Sequence, residues 1–529
     1  MSQDIEIIPV GGHSDFGRNM TAVRVGREIV IFDMGVKLDP LQDLPEGEGV
    51  DTLDVHTLRD LGAIPDDSIL SQVDGKVVAI VISHAHADHV AAVEKLAGRY
   101  PDAPILGSPY TIRFIEDLCT PRRGRNRGSR DGPASRTDQR LSIPNRLVPM
   151  TGKDRVRVGR GSLEVELVHI THSIIGATLP VLHTPKGAVV YALDFKLDDT
   201  PVLGAKPDYR RLAQLGREGV HLLITEATNA HKDEKTDSEM IARLRLKDLL
   251  FGVDHEKEAL FVSTFSSNSA RIHSMIEYAE DLDRDILLMG RSMERYQSIA
   301  ASTGLLNVPD HVRMFPNRES ANQALRLVAE DPTKYLVILT GHQGEPGALL
   351  TRIANGQTPY KMSKRDDVIF SSNVIPTPTN IEARGDLEKR LKKAGARVFK
   401  GAHASGHASG VDHRELLMLL QPEHIVPAHG GFELQQAYST LAEEEGWKPR
   451  RDIHVLANAQ RFVLGKGPSG EPRKVDAAVP KPAAKRGAPK KAPGKSHRPA
   501  AKAPAKKAAA KPQKPAGRAP RKAPATHRA

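Results

Sequence analysis

Four metal-binding side chains crowd into six positions of this sequence: His84, His86, Asp88 and His89. Neutral imidazoles and carboxylates suit zinc, and one short loop can aim such side chains at two neighbouring ions. Two ions roughly 3.5–4 Å apart can clamp a phosphoryl group during in-line displacement. A histidine-rich surface loop is the plainer reading, but the spacing H-x-H-x-D-H is far more specific than a single H-x-H pair. The elements around the motif must position it. Residues 77–82 are wholly apolar and mostly β-branched, which reads as a strand buried on both faces. From Val90 the spacing turns helical, with Gly98 as a stop. The four side chains therefore fall on the loop at the carboxyl end of a buried strand, the usual active-site position in α/β folds.

Composition bounds the rest. The chain has 529 residues, about three domains' worth at roughly 150 each. Residues 477–529 hold 16 Lys or Arg and no acid or aromatic, while the whole chain carries a formal +11. The basicity thus belongs to the tail, and the body is net acidic. A single cysteine, Cys119, excludes an intrachain disulfide and a thiolate-rich zinc site. The acidic start is no signal peptide. No apolar run approaches the roughly 18 residues of a membrane span. These features predict a soluble, cytoplasmic protein without a membrane partner.

Taken in order, residues 5–10 read as a strand, and 20–25 with 29–32 as a hairpin ending at Asp33-Met34-Gly35. Asp33 could orient a metal-bound imidazole or simply end a turn; the residues leave both open. Strand and helix alternate over 104–118. Residues 122–140 then carry seven arginines among Gly, Ser and Asn, a flexible loop that could meet phosphates or only solvent. Residues 163–170 form a strand ending at His172, and 189–192 one ending at Asp194. From about Thr200 strands with polar ends alternate with helices, at 222–224, 261–263, 286–290 and 335–340. This predicts a parallel-sheet insertion over 201–365, between a first part, 1–200, and a second, 366–467. In the second part, strands at 368–371 and 397–399 lead to His403-Ala404-Ser405-Gly406-His407, and a strand at 424–426 leads to His429. From 468 to 529 the chain is rich in Lys, Ala and Pro and is expected to be disordered.

The H-x-H-x-D-H run resembles the signature of the metallo-β-lactamase superfamily, hydrolases built on an αββα sandwich. With the insertion, the chain resembles the β-CASP nucleases and, among them, the ribonuclease J family, nearest its archaeal type. The matching stretches are GGHSDFGRNM, FDMG, SHAHADH, THS, DFK, TEATNA, TFSSN, GRSM, TGHQGE, HASGHA and PAHGG, in family order over about residues 5–460.

The resemblance implies an α/β fold, a metallo-β-lactamase sandwich with an inserted parallel-sheet β-CASP domain. It implies that His84, His86 and His172 hold one zinc ion, that Asp88, His89 and His429 hold the other, and that Asp194 lies between. It favours the orienting role for Asp33. Asp88, Asp194, Glu226 and His407 would form the catalytic set. Ser405, Gly406 and His407 would meet the scissile phosphate. Phe265 would stack a base, with Ser266 and Asn268 beside it. The implied cofactor is two Zn²⁺ per chain, replaceable by Mn²⁺ in vitro. The implied activity is 5′→3′ degradation of single-stranded RNA by a homodimer, favouring a 5′-monophosphate, in RNA decay and processing.

Four positions depart from the family pattern: Ala85, Leu193, Glu226 and Gly431; none removes a proposed ligand. An endonuclease of the cleavage-and-polyadenylation type competes, although a lactamase pattern starting at Ile5 leaves no room for the KH-like domains of those proteins. An inactive RNA-binding scaffold is disfavoured by seven intact ligands.

Overall fold

The computed structural model describes residues 4–42, 44, 48–121, 141–161, 163–255, 259–364 and 366–468. The arginine-rich residues 122–140 and the tail from 469 onward lie outside the described residues. Three sheets organise the rest. The first begins with β1 (Ile5–Gly11), β2 (Met20–Val25), β3 (Glu28–Phe32), β4 (Lys76–Val81), β5 (Ile105–Gly107) and β6 (Leu147–Pro149). The second begins with β7 (Arg155–Val158), β8 (Leu163–His169), β9 (Thr178–Thr184), β10 (Gly187–Ala192) and β11 (Val220–Glu226). The third holds β12 (Leu260–Ser263), β13 (Asp285–Met289), β14 (Arg313–Phe315), β15 (Tyr335–Leu339), β16 (Asp367–Phe370) and β17 (Arg397–Phe399). Then β18 (His424–Ala428) returns to the second sheet, and β19 (Phe462–Val463) and β20 (Gly467–Pro468) to the first.

The strand orders are β20-β19-β1-β2-β3-β4-β5-β6, β18-β11-β10-β9-β8-β7 and β14-β13-β15-β12-β16-β17. The first two sheets mix antiparallel and parallel pairs, and the third is wholly parallel. Alternation along the strands explains how they stack. Val30 and Phe32 face a core shared with Tyr191, Leu222 and Val426 of the second sheet, while Ile29 and Ile31 face the helices outside. The Phe32 and Tyr191 rings stack 4.9 Å apart across the two sheets, a contact worth about 0.5–1.5 kcal/mol beyond its buried area. Burial on both faces is why these runs lack polar alternation. The third sheet also buries both faces, with Phe261, Val337 and Phe370 on one and Val262, Ile338 and Ile369 on the other.

Strand pairing corrects the expected insertion limits, 201–365, on both sides. β11 lies between β10 and β18 in the sandwich, while β16 and β17 join β12 in the inserted sheet. Periodicity reveals that a segment is a strand, but backbone hydrogen bonds to distant segments decide its sheet. The helix expected after the histidine loop is instead two short ones, Ala87–Val90 and Val93–Leu96.

Candidate metal centre

The loops after β4, β8, β10 and β18 converge on one point. His84 Nε2 and His172 Nε2 lie 3.1 and 3.0 Å from His86 Nδ1. Asp194 Oδ2 lies 3.6 Å from His84 Nε2, 3.4 Å from His172 Nε2 and 3.3 Å from His89 Nε2. His89 Nε2 is 3.5 Å from Asp88 Oδ2, and His429 Nε2 is 3.7 Å from Asp194 Oδ1. The donors form two quartets, His84-His86-His172-Asp194 and Asp88-His89-Asp194-His429, each with its atoms within 4.8 Å of one another. The seven sequence-predicted ligands are thus brought together, with Asp194 common to both quartets.

The donor set fits metal ions. Asp194 Oδ1 is buried without a hydrogen-bond partner, a costly arrangement that a cation would relieve. Burial keeps His84 and His172 well below the usual imidazole range and pushes His86 down to about 4, so these rings are in the neutral, ligating form. Burial also opposes a charge on His89, but Asp194, Asp88 and Asp33 outweigh it and hold the ring well above its usual value.

The outer nitrogen of each ring meets its own partner. His89 Nδ1 donates to Asp33 Oδ2 at 2.7 Å. His84 Nδ1 reaches Ser83 Oγ at 3.0 Å, and that hydroxyl donates to Asp33 Oδ2 at 2.9 Å. His172 Nδ1 donates to the Gly406 carbonyl at 2.6 Å, His429 Nδ1 to Asn19 Oδ1 at 3.0 Å and His86 Nε2 to Ser267 Oγ at 3.0 Å. Asn19 Nδ2 also donates to the Asp88 carbonyl and to Asp88 Oδ2, at 3.0 and 3.2 Å. Such partners fix ring orientation and raise ligand basicity. Fully buried Asp33 is therefore an orienting group rather than only a turn residue.

The backbone is constrained to match. Asp33 and His429 sit in the left-handed region, at φ 60° and 50°, a conformation that costs a non-glycine residue about 1–3 kcal/mol and clusters at functional sites. A Cβ on Gly35 would lie 1.5 Å from the Asp88 carbonyl oxygen, so only glycine lets the turn after β3 press against the ligand loop. A Cβ on Gly406 would lie 2.7 Å from Ser173 Cβ and 2.9 Å from His172 Cε1, so glycine is again what brings the carbonyl to its imidazole.

Beside the quartets stands His407, a member of neither. Its ring is 5.2 Å from His172 and stacks 5.5 Å from His429. Its Nδ1 donates to Oε2 of fully buried Glu226 at 2.8 Å, while Glu226 Oε1 accepts from Phe195 N and Ala408 N. Burial works against the His407 charge, but Glu226 and Asp194 outweigh it and raise the group to about 9. Ser405 Oγ accepts from His407 N at 3.1 Å and shapes this loop.

The other expected substrate residues are more varied. Phe265 is half-buried, its ring edge-on to His342 at 4.1 Å. The Ser266 carbonyl accepts from Gln297. Asn268 is buried and its side-chain oxygen caps the helix Ser269–Asp281, accepting from Arg271 N at 3.0 Å; that oxygen is committed to the fold. Sequence reasoning assigned no role to Asn19, Ser83, Ser267 or Tyr296, whose hydroxyl donates to the Ala85 carbonyl. Asn19, Ser83 and Ser267 lie in the GRNM, SHAHADH and TFSSN stretches, which were the available signal.

Family models match three stretches: the metallo-beta-lactamase superfamily over 15–177, the beta-CASP domain of ribonuclease J over 257–384, and a Zn-dependent metallo-hydrolase RNA specificity domain over 393–451. A ribonuclease J from Methanocaldococcus jannaschii is 43% identical over 457 residues, covering 86% of this chain and 98% of the relative. This chain belongs to the ribonuclease J family. The ribonuclease J of Pyrococcus abyssi is 41% identical over 454 residues, covering 86% of this chain and 96% of its own. That of Thermus thermophilus is 33% identical over 459 residues, covering 85% and 72%. A crystal structure of an Enterococcus faecalis protein of unknown function shares the fold, with a TM-score of 0.55 at 16% identity over 87% of this chain and 100% of that one. As a member of the ribonuclease J family the chain is a metal-dependent ribonuclease that binds RNA. No described helix is long and apolar enough to cross a membrane.

Proposed function

We propose that this ribonuclease carries two Zn²⁺ per chain and degrades single-stranded RNA from the 5′ end, favouring a 5′-monophosphate. His84, His86 and His172 would hold one ion and Asp88, His89 and His429 the other, with Asp194 between and Mn²⁺ able to substitute in vitro. Bound there, the cations would supply Lewis-acid stabilisation of the phosphoryl oxygens and an activated water.

The observation that carries the reading is the Glu226–His407 pair, an imidazole held protonated beside both quartets yet belonging to neither. In this reading His407 anchors the scissile phosphate and hands a proton to the departing 3′-oxygen. Ser405 and Gly406 flank it at the same phosphate, and Phe265 stacks the end base. Ser267 and Tyr296 press the inserted module onto the ligand loop, which favours an end threaded between modules over an open cleft. Serine hydroxyls at 266 and 405 and backbone N–H groups suit a monophosphate, whereas a triphosphate adds charge and bulk. The reading includes a homodimer acting in the cytoplasm, in RNA decay and processing.

Circular RNA has no end to thread. The circle should resist while its linear 5′-monophosphorylated form yields single nucleotides, with a 5′-triphosphate slowing the reaction. A circle cut as fast as the linear form would overturn the exonuclease reading and favour an endonuclease of the cleavage-and-polyadenylation type.

A further inference from the structure

β11 and β18 run parallel and adjacent, with Leu222 opposite His424. Their carboxyl ends lead to Glu226 and His429 at the metal centre. Their amino ends carry a separate group of ligand-type side chains. Donor atoms of His221, Glu423 and His424 lie within 4.8 Å of one another. His221 Nδ1 is 2.7 Å from Glu423 Oε2, and its Nε2 is buried with no hydrogen-bond partner. The His221 and His424 rings meet edge to face at 5.3 Å. Buried His454, whose backbone N–H donates to the Ile425 carbonyl, brings its Nε2 to 3.2 Å from His424 Nδ1.

That last distance matches the catalytic cluster, where facing ring nitrogens of His84, His86 and His172 lie 3.0–3.1 Å apart. A close nitrogen pair of this kind lets one ring orient the other. One hydrogen bond would account for His221 with Glu423, and another for His424 with His454. Neither accounts for the convergence of the His221, Glu423 and His424 donors on one point.

We propose that His221, Glu423 and His424 form a further metal site that takes a Zn²⁺-class cation, with His454 Nε2 orienting the His424 ring. Imidazoles with one carboxylate suit zinc and its neighbours, whereas Mg²⁺ and Ca²⁺ prefer oxygen donors. Glu423, whose side chain is 64% exposed, closes the site from the solvent side. The ion would tie the amino ends of β11 and β18 to each other. It would act on stability, since it lies at the opposite end of the strands from Glu226 and His429.

The test uses the full chain, stripped of metal with a chelator and reloaded with Zn²⁺. The double variant His221→Gln, His424→Gln should bind one ion fewer per chain than the wild type by elemental analysis. Its RNA cleavage should be unchanged, and the rise in Tm on adding Zn²⁺ should shrink. Equal metal content in the two proteins would overturn the site. A second measurement needs no variant: Zn²⁺ should protect His221 and His424 of the wild type from diethyl pyrocarbonate, read by mass spectrometry. Equal reactivity with and without Zn²⁺ would also overturn it, and neither result depends on the direction of RNA degradation.

Discussion

The lactamase sandwich and the inserted sheet both end their parallel strands near the reacting centre, yet they contribute differently. The sandwich supplies all seven donors and most of their outer partners: Asp33, Ser83 and Asn19. Among the described residues the inserted module supplies no donor and reaches the ligand loop through hydroxyls, Ser267 on His86 and Tyr296 on the Ala85 carbonyl. Between them runs the loop holding Gly406 and His407, which leads from β17 back into the sandwich. The sandwich positions each ligand by several mutually dependent contacts, whereas the insertion adds single hydrogen bonds that can be lost one at a time. Metal binding should therefore fail as a unit when the sandwich is altered, and substrate handling should fail by degrees when the insertion is.

The strongest test of this difference is Asp194→Ala. It removes a donor from both quartets, so metal content should fall and cleavage of labelled RNA should drop below detection; stripping the wild type with a chelator should do the same. A variant that kept its full metal content would show that the quartets do not depend on their shared carboxylate.

Next in size is His407→Ala. It should leave metal content near that of the wild type while turnover falls about 10²–10⁴-fold, the usual range for a general acid. Loss of metal would instead make His407 a ligand. Glu226→Gln gives the sign through pH. Glu226 helps keep His407 protonated up to about 9, so removing its charge lowers that limit. The alkaline limb of the kcat profile should then move to lower pH; an unmoved limb would detach Glu226 from the proton-bearing group.

Smaller effects should separate the modules. Loss of an outer partner typically costs about 10–100-fold in metal affinity or activity. Asp33→Ala, which unties both His84 and His89, should lie at the upper end, and Ser267→Ala, which unties only His86, at the lower. The reverse order, in metal titrations of the two variants, would mean that the insertion helps build the metal centre.

The smallest effect on chemistry should come from deleting residues 477–529. Sixteen positive charges without aromatics attract phosphates but do not read bases. Deletion should weaken RNA binding and flatten its salt dependence, while cleavage of short RNA at low salt survives. A catalytically dead truncation would show that the tail does more than attract phosphate.

Four donors were legible from the residues alone, because the spacing His84, His86, Asp88, His89 is local and set by one loop; His172, Asp194 and His429 stand singly at strand ends, and only the family resemblance marked them as ligands. The charge of the tail is likewise a property of composition. Asp33 was legible only as a choice between two roles, and contact with His89 and Ser83 decided it. Tyr296 carries no local pattern that marks it, and Asn19 and Ser267 are marked only by the family stretches that hold them, because their partners lie far away in the chain. Asn268 matched the family's substrate motif, yet its side-chain oxygen caps a helix. The sheet assignment of β11, β16 and β17 was equally out of reach, since apolar alternation is the same whichever neighbour a strand pairs with. Residue type and short-range spacing determined which chemistry this chain can perform. Which atoms face one another, and the orphaned oxygen on Asp194 that accompanies them, depended on hydrogen bonds and packing between distant segments, which arise only when the chain folds.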